Sequence, residues 1–582
     1  MSVTDTGTQP GDEAGHPHHY DLLVVGSGAG AFTAAVTTLN HGGSVLMVEK
    51  SDLFGGTSAM SGGGIWIPNS DNARRKGADD SAEQAYTYMR ESIGNQVADD
   101  RVRAYVDGAP EMLGYLQANS ALRYEAFPYP DYYSDTPGAK QGYRTQAPCV
   151  FKGRKLGDDL YKMRPQQPGA VVQGRFTLTF KEARKFLTQQ KGWRLSLLKI
   201  IALYFADIPG RFKSKMSRRL TQGHSLIGSL YYTFKDKGGE LWLNSPMHSL
   251  LQTDGRVTGA MVERDGELVH VSAGAVLLAA GGYEHNKEMR EQSLPQPTNP
   301  DWSVSQVNNT GDSIRAATAL GAKLALMNHA WWIPVVHVPG WPRPMGLFAE
   351  RSLPGLVIVN QSGQRFANEA LPYLEAGKAM YDSGVVPSWV IFDANFRHKY
   401  PFGPIGPGWG TPDAVLPKRV KKIMLKHSSI AELAAAAGID AAGLASTIER
   451  NNEFAISGKD EDFQRGDLFY ERYYGDERNQ PNPCIAPIAK SPFYALPLYP
   501  GDIGTKGGLL TDANGQVLSE ASAPIDGLYA AGNNAASVMG DKYLGAGATL
   551  GPAMTFAYLA ALHAAGSAPE FRSDPGALSN QT

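Results

Sequence analysis

Residues 20–50 read YDLLVVGSGAGAFTAAVTTLNHGGSVLMVEK, and this stretch decides the fold class. The apolar run 22–25 predicts a short buried strand, residues 31–40 predict a helix, and residues 44–48 predict a second strand. A turn of the form G-x-G-x-x-G/A joins the first strand to the helix. Strand, glycine turn, helix and second strand in this order are typical of a Rossmann-type unit that binds a dinucleotide.

A physical reason explains why each of these positions in the turn carries a small residue. Gly26 allows the tight turn, Gly28 lets the backbone approach a pyrophosphate, and Ala31 keeps the helix close to the strand. The helix N-terminus offers free N–H groups and the positive end of its dipole to phosphates. Glu49 ends the second strand, where a carboxylate accepts hydrogen bonds from ribose hydroxyls. The residues that we assign to the cofactor from this segment are Gly26, Gly28, Gly30, Ala31, Glu49 and Lys50.

A dense run of small residues follows, with the sequence KSDLFGGTSAMSGGGIWIPNS over residues 50–70. Such a loop can bring N–H groups against a flavin and its phosphates. A flexible linker is the less favoured alternative, because Met60, Ile65, Trp66 and Ile67 need burial. The residues assigned to the cofactor here are Gly55, Gly56, Thr57, Ser58, Ser61, Gly62 and Gly63.

The C-terminal part completes the predicted cofactor site. Residues 524–532 read PIDGLYAAG, which predicts a turn, a strand and a glycine. Residues 539–565 read MGDKYLGAGATLGPAMTFAYLAALHAA, which predicts a helix from near Pro552. Its N-terminus can face the flavin carbonyl where negative charge grows on reduction. Gly532, Asn533 and Leu550 join the cofactor assignment, and the cofactor predicted from all three regions is FAD.

Composition excludes several classes of function. A net charge of -2 and a pI of about 6.7 give no global sign of nucleic-acid binding. Cys149 and Cys484 are the two cysteines and lie far apart in sequence, so we expect neither a disulfide nor a cysteine metal site, and a reducing compartment. Residues 1–19 are polar and predict a disordered tail. We expect no metal, and the sequence has no apolar stretch long enough to span a bilayer.

The chain resembles the 3-ketosteroid dehydrogenases of the fumarate reductase-like flavoprotein superfamily. The motifs that carry the resemblance are VVGSGAGA, GGTSAMSGGGIWIPN, LLAAGGYEHN, RFANEALPY, PGDIGTKGG and YLGAGATLGPAMTF. They extend from Tyr20 to about Ala565. The resemblance implies an α/β fold in which an α+β substrate domain is inserted into a Rossmann-type FAD-binding domain.

The tyrosine-bearing motifs are narrower and point to the Δ1-dehydrogenases, which oxidise the C1–C2 bond of a 3-ketosteroid. In that family a tyrosine removes a proton from C2 and the flavin N5 takes a hydride from C1. Tyr373 in NEALPY resembles this base. Tyr543 and Gly547 in YLGAG resemble the pair that holds the C3 oxygen. Donors close to that oxygen stabilise the enolate, which makes the C2 hydrogen acidic.

A third tyrosine supports the base in this family. It should lie in FPYPDYYSD, where Tyr129, Tyr132 and Tyr133 compete, and we favour Tyr132. The family commonly has proline after the tyrosine of YLGAG, whereas this chain has Leu544, a change that could reshape or lengthen the carbonyl pocket.

Three alternatives compete with a Δ1-dehydrogenase. A fumarate reductase-like enzyme needs arginines that clamp carboxylates, and the segment before the last helix carries Tyr543 and Leu544 instead of an arginine-rich motif. A 3-ketosteroid Δ4-dehydrogenase would share the fold and the flavin. A flavin-binding module without catalysis is the third alternative, and the tyrosine set argues against it.

The domain prediction is discontinuous. Residues 20–334 and 504–565 should form the FAD-binding domain, residues 335–503 the substrate domain, and residues 566–582 a C-terminal tail. The substrate domain opens near WWIPVVHVPGWPRP, whose aromatic side chains suit either the covering of a flat ligand or ordinary packing between domains.

Residues 181–219 form a basic, apolar insert with eleven Lys or Arg residues against Glu182 and Asp207. Its apolar centre is too short to span a membrane but suits a helix in the interface of an anionic bilayer. A surface hairpin or an oligomer contact is the alternative. We therefore expect a cytoplasmic protein at the inner face of the membrane, with a 3-ketosteroid as substrate and a quinone or another electron acceptor as partner.

Overall fold

The computed structural model describes residues 18–167, 171–172, 174–187 and 190–567. Its strands are β1 (His18–Val25), β2 (Val45–Val48), β3 (Ile65–Trp66), β4 (Tyr124–Ala126), β5 (Thr145–Pro148), β6 (Phe151–Lys152), β7 (Val171–Val172), β8 (Phe176–Thr177), β9 (Arg219–Leu220), β10 (Glu240–Trp242), β11 (Met247–Thr253), β12 (Arg256–Arg264), β13 (Glu267–Leu278), β14 (Leu324–Ala325), β15 (Ala330–Val336), β16 (Met345–Gly346), β17 (Leu356–Val359), β18 (Ser388–Phe392), β19 (Leu425–His427), β20 (Phe493–Thr505), β21 (Gly508–Leu509), β22 (Gln516–Leu518) and β23 (Pro524–Ala530). Its α-helices are α1 (Ala29–Asn40), α2 (Gly56–Met60), α3 (Asp71–Arg74), α4 (Ala82–Ile93), α5 (Asp99–Asn119), α6 (Phe180–Leu187), α7 (Trp193–Ala206), α8 (Ile208–Lys213), α9 (Gln222–Asp236), α10 (Lys287–Ser293), α11 (Asp312–Thr318), α12 (Tyr373–Asp382), α13 (Ala394–Lys399), α14 (Lys418–Ile423), α15 (Ile430–Ala437), α16 (Ala441–Ser457), α17 (Phe469–Tyr474) and α18 (Leu550–Ala564).

The main sheet carries the predicted Rossmann-type unit. Its strand order is β10-β2-β1-β13-β12-β11, with β23 beside β13 and β22 beside β23. The pairs β1–β2, β1–β13, β2–β10 and β13–β23 are parallel, whereas β12 pairs antiparallel with both β11 and β13. Parallel strands of this kind are buried on both faces, which explains the continuous apolar runs in β1 and β2. The α/β prediction is confirmed.

Strand β1 is longer than the apolar run that predicted it. His18 and His19 pair with Val271 and Ser272 of β13, so these two histidines belong to the sheet and not to the predicted tail. The remainder of that predicted tail lies outside the described residues, as does most of the predicted C-terminal tail.

Helix α1 packs against strands β1 and β2 of the main sheet and along α18. Ten of its residues are buried, and it begins at Ala29, two positions before the predicted start. At Gly30 an added Cβ would lie 2.8 Å from the carbonyl oxygen of Ala553 in α18. The two helices therefore approach each other through a glycine contact that no larger side chain could share.

A second sheet belongs to the predicted substrate domain, with the order β16-β15-β20-β18-β17 and β19 paired to β20. Strands β15 and β20 pair antiparallel along most of their length. The boundaries predicted at 334/335 and at 503/504 each fall inside one of these strands. Both predicted boundaries therefore lie within continuous strands and not in flexible linkers.

The basic insert forms the short helices α6, α7 and α8. Its apolar centre lies in α7, where Ile200 and Tyr204 pack inward against Phe176 and Leu178. Within the described parts of the chain, no helix combines the length and the apolar character that crossing a bilayer would need.

Candidate active site

One cavity of about 660 Å³ joins the glycine turn after β1 to a cluster of tyrosines. Its wall is built from the main sheet, from the second sheet's loops and from helix α6 of the insert. The predicted cofactor residues that line the cavity are Gly26, Gly28, Gly30, Glu49, Lys50, Gly56, Thr57, Ser58, Ser61, Gly62, Gly63, Gly532, Asn533 and Leu550. Two residues of that assignment, Ala31 and Gly55, lie outside the lining.

The glycine turn has the form that a dinucleotide requires. Gly26 has φ +105°, and an added Cβ would lie 2.5 Å from the carbonyl oxygen of Ala279. The Ser58 Oγ accepts a hydrogen bond from the Ala29 N–H at 3.1 Å, which brings the start of α2 against the start of α1. Two helix N-termini therefore face one region of the cavity, an arrangement that favours phosphate groups.

The run of small residues is not an open loop throughout, because residues 56–60 form α2. Gly55, just before this helix, donates its N–H to the Ser27 Oγ at 2.9 Å and so holds the helix in place. Ala31 is fully buried in α1, consistent with a packing role between helix and strand.

Glu49 lies where a ribose-binding acid is expected. Its carboxylate accepts hydrogen bonds from the Ser27 Oγ at 2.6 Å and from the Ser51 N–H at 3.0 Å. Burial raises the pKa of the Glu49 carboxyl, and these two hydrogen bonds partly lower it again. The carboxylate is held rigidly at the cavity wall, and its chemistry fits the hydroxyls of an FAD ribose.

Three tyrosine rings from distant parts of the chain surround the other end of the cavity. The Tyr132 hydroxyl donates to the Tyr373 hydroxyl at 3.3 Å. The ring of Tyr543 stacks on that of Tyr132 at 5.3 Å and lies edge-on to that of Tyr373 at 4.9 Å. All three side chains line the cavity. The structure thus brings together the residues that the sequence assigned to catalysis from three separate motifs.

Burial dominates the acidity of this cluster. It raises the pKa of the Tyr373 hydroxyl well above its usual range, and the neighbouring Tyr543 and Tyr470 raise it further. The hydrogen bond from Tyr132 acts in the opposite direction, because a donor stabilises the phenolate. For Tyr543 burial also raises the pKa, while Tyr373, Thr549 and the Gly547 N–H lower it.

The predicted carbonyl-binding pair lies on one short segment before α18. Gly547 has φ +99°, and an added Cβ would lie 2.5 Å from backbone atoms of Ile65, so only glycine fits there. The Tyr543 N–H donates to the Tyr133 hydroxyl at 3.3 Å, and Trp331 lies edge-on to the Tyr543 ring at 5.0 Å. These contacts fix the backbone and the ring of Tyr543, which lines the cavity.

The three candidates for the supporting tyrosine have different surroundings. Tyr132 hydrogen-bonds Tyr373, as described above. Tyr133 donates instead to the Glu375 carboxylate at 2.7 Å and does not line the cavity. Tyr129 lines the cavity but packs against Phe180 of α6, with ring centroids 5.6 Å apart.

Leu544 and the pair Trp331 and Trp332, which the sequence singled out, do not line the cavity. Leu544 is fully buried, and its carbonyl oxygen accepts hydrogen bonds from the Tyr132 N–H at 2.9 Å and the Tyr88 hydroxyl at 2.7 Å. The leucine that stands in place of proline therefore does not itself line the cavity. Trp331 and Trp332 are buried by ordinary packing and cover no part of the cavity.

Sequence reasoning missed several lining residues. Tyr470 packs on Tyr132 at 4.9 Å, and Phe348 lies edge-on to Tyr373 at 5.3 Å. The aromatic run FYERYY at residues 469–474 was the available signal for the first. Helix α6 also contributes to the wall, and its Arg184 lies over the ring of Tyr473 at 4.1 Å. Nothing local in the sequence connects these segments.

Comparison with known proteins gives a consistent result. A model of the FAD binding domain matches residues 21–550. A 3-oxosteroid 1-dehydrogenase of Mycolicibacterium smegmatis is 40% identical over 570 residues, which cover 95% of this chain and 98% of that protein. A 4-oxocyclohexanecarboxylate 2-dehydrogenase of Sinomonas cyclohexanicum is 34% identical, covering 96% of this chain and 94% of that protein. The crystal structure of a 3-ketosteroid delta1-dehydrogenase from Sterolibacterium denitrificans, in complex with 1,4-androstadiene-3,17-dione, has a TM-score of 0.92 at 47% identity, covering 94% of this chain and 100% of that one.

Proposed function

Because the chain belongs to the 3-ketosteroid dehydrogenase family of FAD-binding flavoproteins, we propose that it catalyses the FAD-dependent 1,2-dehydrogenation of 3-ketosteroids. The observation that carries this proposal is the meeting of Tyr132, Tyr373 and Tyr543 in the cavity that also holds the glycine turn. A ketone substrate in this cavity would have a base on one side and hydroxyl and N–H donors on the other.

FAD, when bound, supplies the acceptor for the hydride that leaves C1 of the steroid. The residues that would hold it are those of the glycine turn, α2, the start of α18 and Glu49. The phenolate of Tyr373 would take the proton from C2, and the electron pair of that C–H bond would become the second bond between C1 and C2. The steroid thus loses one proton and one hydride and gains one double bond.

Proton loss beside a ketone needs stabilisation of the negative charge on the C3 oxygen. We assign this role to the Tyr543 hydroxyl and the Gly547 N–H, which act on the charge as it develops. Tyr132 would donate to Tyr373 and so favour its phenolate form. The surrounding aromatic rings exclude water, which strengthens each of these interactions.

The experiment is anaerobic mixing of the purified protein with a set of ketones. A 3-ketosteroid saturated at C1–C2 should bleach the flavin and yield a product lighter by two hydrogens at that bond. A 3-ketosteroid that can lose hydrogen only at C4–C5 tests the Δ4 alternative, and 4-oxocyclohexanecarboxylate tests a one-ring substrate. Bleaching by either of these compounds but not by the first would overturn the proposal.

We also propose that the insert binds an anionic membrane surface. The large apolar side chains that α7 and α8 expose are Leu195, Leu198, Leu203, Phe205, Ile208 and Phe212. Phe212 is the most exposed of these six side chains, at 88%. Such a patch among basic residues matches an interfacial element, because apolar side chains enter the lipid while Lys and Arg contact the headgroups.

This placement would serve both the substrate and the electron acceptor. Helix α6, next to the exposed patch, lines the cavity, so a sterol dissolved in the membrane would have a short path to the tyrosines. We propose a quinone as the acceptor that reoxidises the flavin, because quinones share the same lipid phase.

A further inference from the structure

The cavity wall contains an arginine from the substrate domain that the sequence analysis did not assign. Arg343 lines the same cavity as the glycine turn and the tyrosines. One of its terminal nitrogens contacts the sulfur of Met60, the last residue of α2. The other end of α2 lies against Gly28 and Ala29, where the phosphates of a dinucleotide are expected. Arg343 therefore contacts the C-terminal end of the short helix whose other end lies beside the glycine turn.

Part of the hydrogen-bonding capacity of this arginine has no partner among the described residues. The Nε of Arg343 is buried and has no hydrogen-bond partner among the described residues. The same holds for the Nε of Arg164, which is almost fully buried nearby. A buried N–H group without a partner costs free energy of about 1–3 kcal/mol, so a bound ligand that accepts from it would be favoured.

The two arginines also place positive charge close together. Burial and the positive charge of Arg164 lower the pKa of Arg343 to about 10. Burial lowers the pKa of Arg164 as well, and the carboxylates of Glu49 and Asp52 offset this only in part. Across the described residues neither guanidinium makes a direct ion pair with a carboxylate. Two neighbouring guanidinium groups without a direct ion pair indicate that an anion belongs between or beside them.

Arg164 is attached to the adenosine end of the predicted cofactor site. Its Nη2 donates to the Ser51 Oγ at 2.7 Å, and the Ser51 N–H in turn donates to Glu49 at 3.0 Å. The pair of arginines thus lies beside both the ribose-binding acid and α2. The anion that this position would meet in FAD is the pyrophosphate, which a planar guanidinium binds through paired N–H groups.

We propose that Arg343 binds the pyrophosphate of FAD across the domain boundary, with Arg164 reinforcing the positive charge. The substrate domain would then hold the cofactor directly, and not only the substrate. This inference rests on FAD binding and not on the reaction assigned above, so the test needs no steroid.

The experiment compares two flavins on the deflavinated protein and on its Arg343→Gln variant. FAD carries the pyrophosphate, whereas riboflavin has the same ring without any phosphate. We expect Arg343→Gln to raise the Kd for FAD by about 10- to 100-fold, the range of a lost hydrogen bond to a charged group, and to leave the Kd for riboflavin unchanged. Flavin fluorescence quenching measures both constants.

Two further variants make the result decisive. Arg343→Met keeps the aliphatic contact with Met60 and should behave as Arg343→Gln does, even if the latter folds poorly. Arg450→Gln, on the exposed face of α16, is a matched control that should leave both constants unchanged. Equal weakening of FAD and riboflavin would mean a purely structural role and would overturn the proposal, as would unchanged FAD binding in either Arg343 variant.

Discussion

Tyr132, Tyr373 and Tyr543 share one cavity but differ in the donors around their hydroxyl groups. Tyr373 receives a hydrogen bond from Tyr132, which favours its phenolate. Tyr543 has the Gly547 N–H and Thr549 close to its hydroxyl. These surroundings favour Tyr373 as the group that takes a proton and Tyr543 as the group that binds a carbonyl oxygen, since each role depends on the neighbouring donors.

Removal of single hydroxyl groups should separate these roles. We expect Tyr373→Phe to abolish flavin reduction by a 3-ketosteroid and exchange of the C2 hydrogens with solvent deuterium, with steroid binding retained. Tyr543→Phe should lower kcat by about 10²-fold, as loss of an oxyanion-hole donor does. Tyr132→Phe should lower kcat by about 10-fold, because one hydrogen bond to the phenolate is lost.

Tyr381→Phe is the matched control for this series. Tyr381 lies on the same helix as Tyr373 but packs against Trp332 and does not line the cavity. Its variant should reduce flavin at the wild-type rate. Near wild-type flavin reduction in Tyr373→Phe would show that another group is the base.

The rate of flavin reduction should depend on pH through the ionisation of the catalytic base. Burial raises the pKa of Tyr373, so at neutral pH its neutral form predominates. A base acts only when deprotonated, and the rate of flavin reduction should therefore increase with pH up to the limit of stability. Stopped-flow measurement between about pH 6 and about pH 10 tests this around the ordinary tyrosine pKa of about 10. A rate that falls across this range would contradict Tyr373 as the base.

At the scale of elements, the contact of α1 with α18 determines the shape of the cofactor site. Gly30→Ala would force a Cβ to within 2.8 Å of the Ala553 carbonyl oxygen. We expect this overpacking to lower the free energy of unfolding by about 1–3 kcal/mol, measured by urea unfolding at a constant FAD concentration.

Gly114→Ala is the control for that substitution. Gly114 lies in α5, and among the described residues outside its own helical turn no atom lies within 4 Å of an added Cβ, so the substitution should stabilise the protein by about 0.5–1 kcal/mol. Equal effects of the two substitutions would show that the close approach of α1 to α18 does not limit stability.

The exposed face of α7 and α8 leads to a second prediction at this scale. The double substitution Leu198→Ser and Phe212→Ser should release the protein from anionic lipid vesicles in a sedimentation assay, because apolar area available for insertion is lost. Added salt should weaken the binding of the unsubstituted protein through screening of its basic residues. Ile456→Ser, on the exposed face of α16, removes a similar side chain elsewhere and should bind as the unsubstituted protein does. Failure of the unsubstituted protein to sediment with the vesicles would exclude the membrane proposal.

For the whole molecule, the number of buried tyrosines predicts a loss of stability at alkaline pH. Burial raises the pKa well above the usual range for Tyr88, Tyr105, Tyr124, Tyr132, Tyr133, Tyr373 and Tyr474. In the unfolded chain these hydroxyls deprotonate near pH 10, whereas in the folded protein they stay neutral. The contribution of these buried tyrosines to the free energy of unfolding is therefore complete below about pH 10 and decreases as the pH rises above it.

The measurement is urea unfolding at about pH 8 and about pH 10.5, on either side of the ordinary tyrosine pKa. The urea midpoint should fall markedly at the higher pH. Burial lowers the pKa of Lys506, so this group should stabilise the folded protein more as the pH rises. It is a single group, however, and the tyrosines outnumber it. An unchanged midpoint would show that the buried tyrosines ionise in the folded state as readily as in the unfolded chain.

Much of the fold could be predicted because its signals are local. The glycine spacing in residues 26–31 and the acid at Glu49 follow directly from the geometry of a strand, a tight turn and a helix. The structure forms these elements, with β1 starting at residue 18 and not 22, α1 at 29 and not 31, and β2 at 45 and not 44. The predicted boundaries at 334/335 and 503/504 fall within strands β15 and β20, because the pairing of these strands depends on a partner far away in sequence that no local pattern shows.

The sequence by itself determined that this chain has an α/β fold, binds FAD and belongs to its family, because short motifs carry that information without reference to the rest of the molecule. Only the tertiary structure decided which tyrosines meet. Tyr132 and Tyr373 lie 241 positions apart and touch through their hydroxyls, whereas Tyr133, one residue along, faces Glu375. It also decided that Arg343 and α6 line the cavity, because such contacts arise when separate segments pack together and leave no pattern within any one of them.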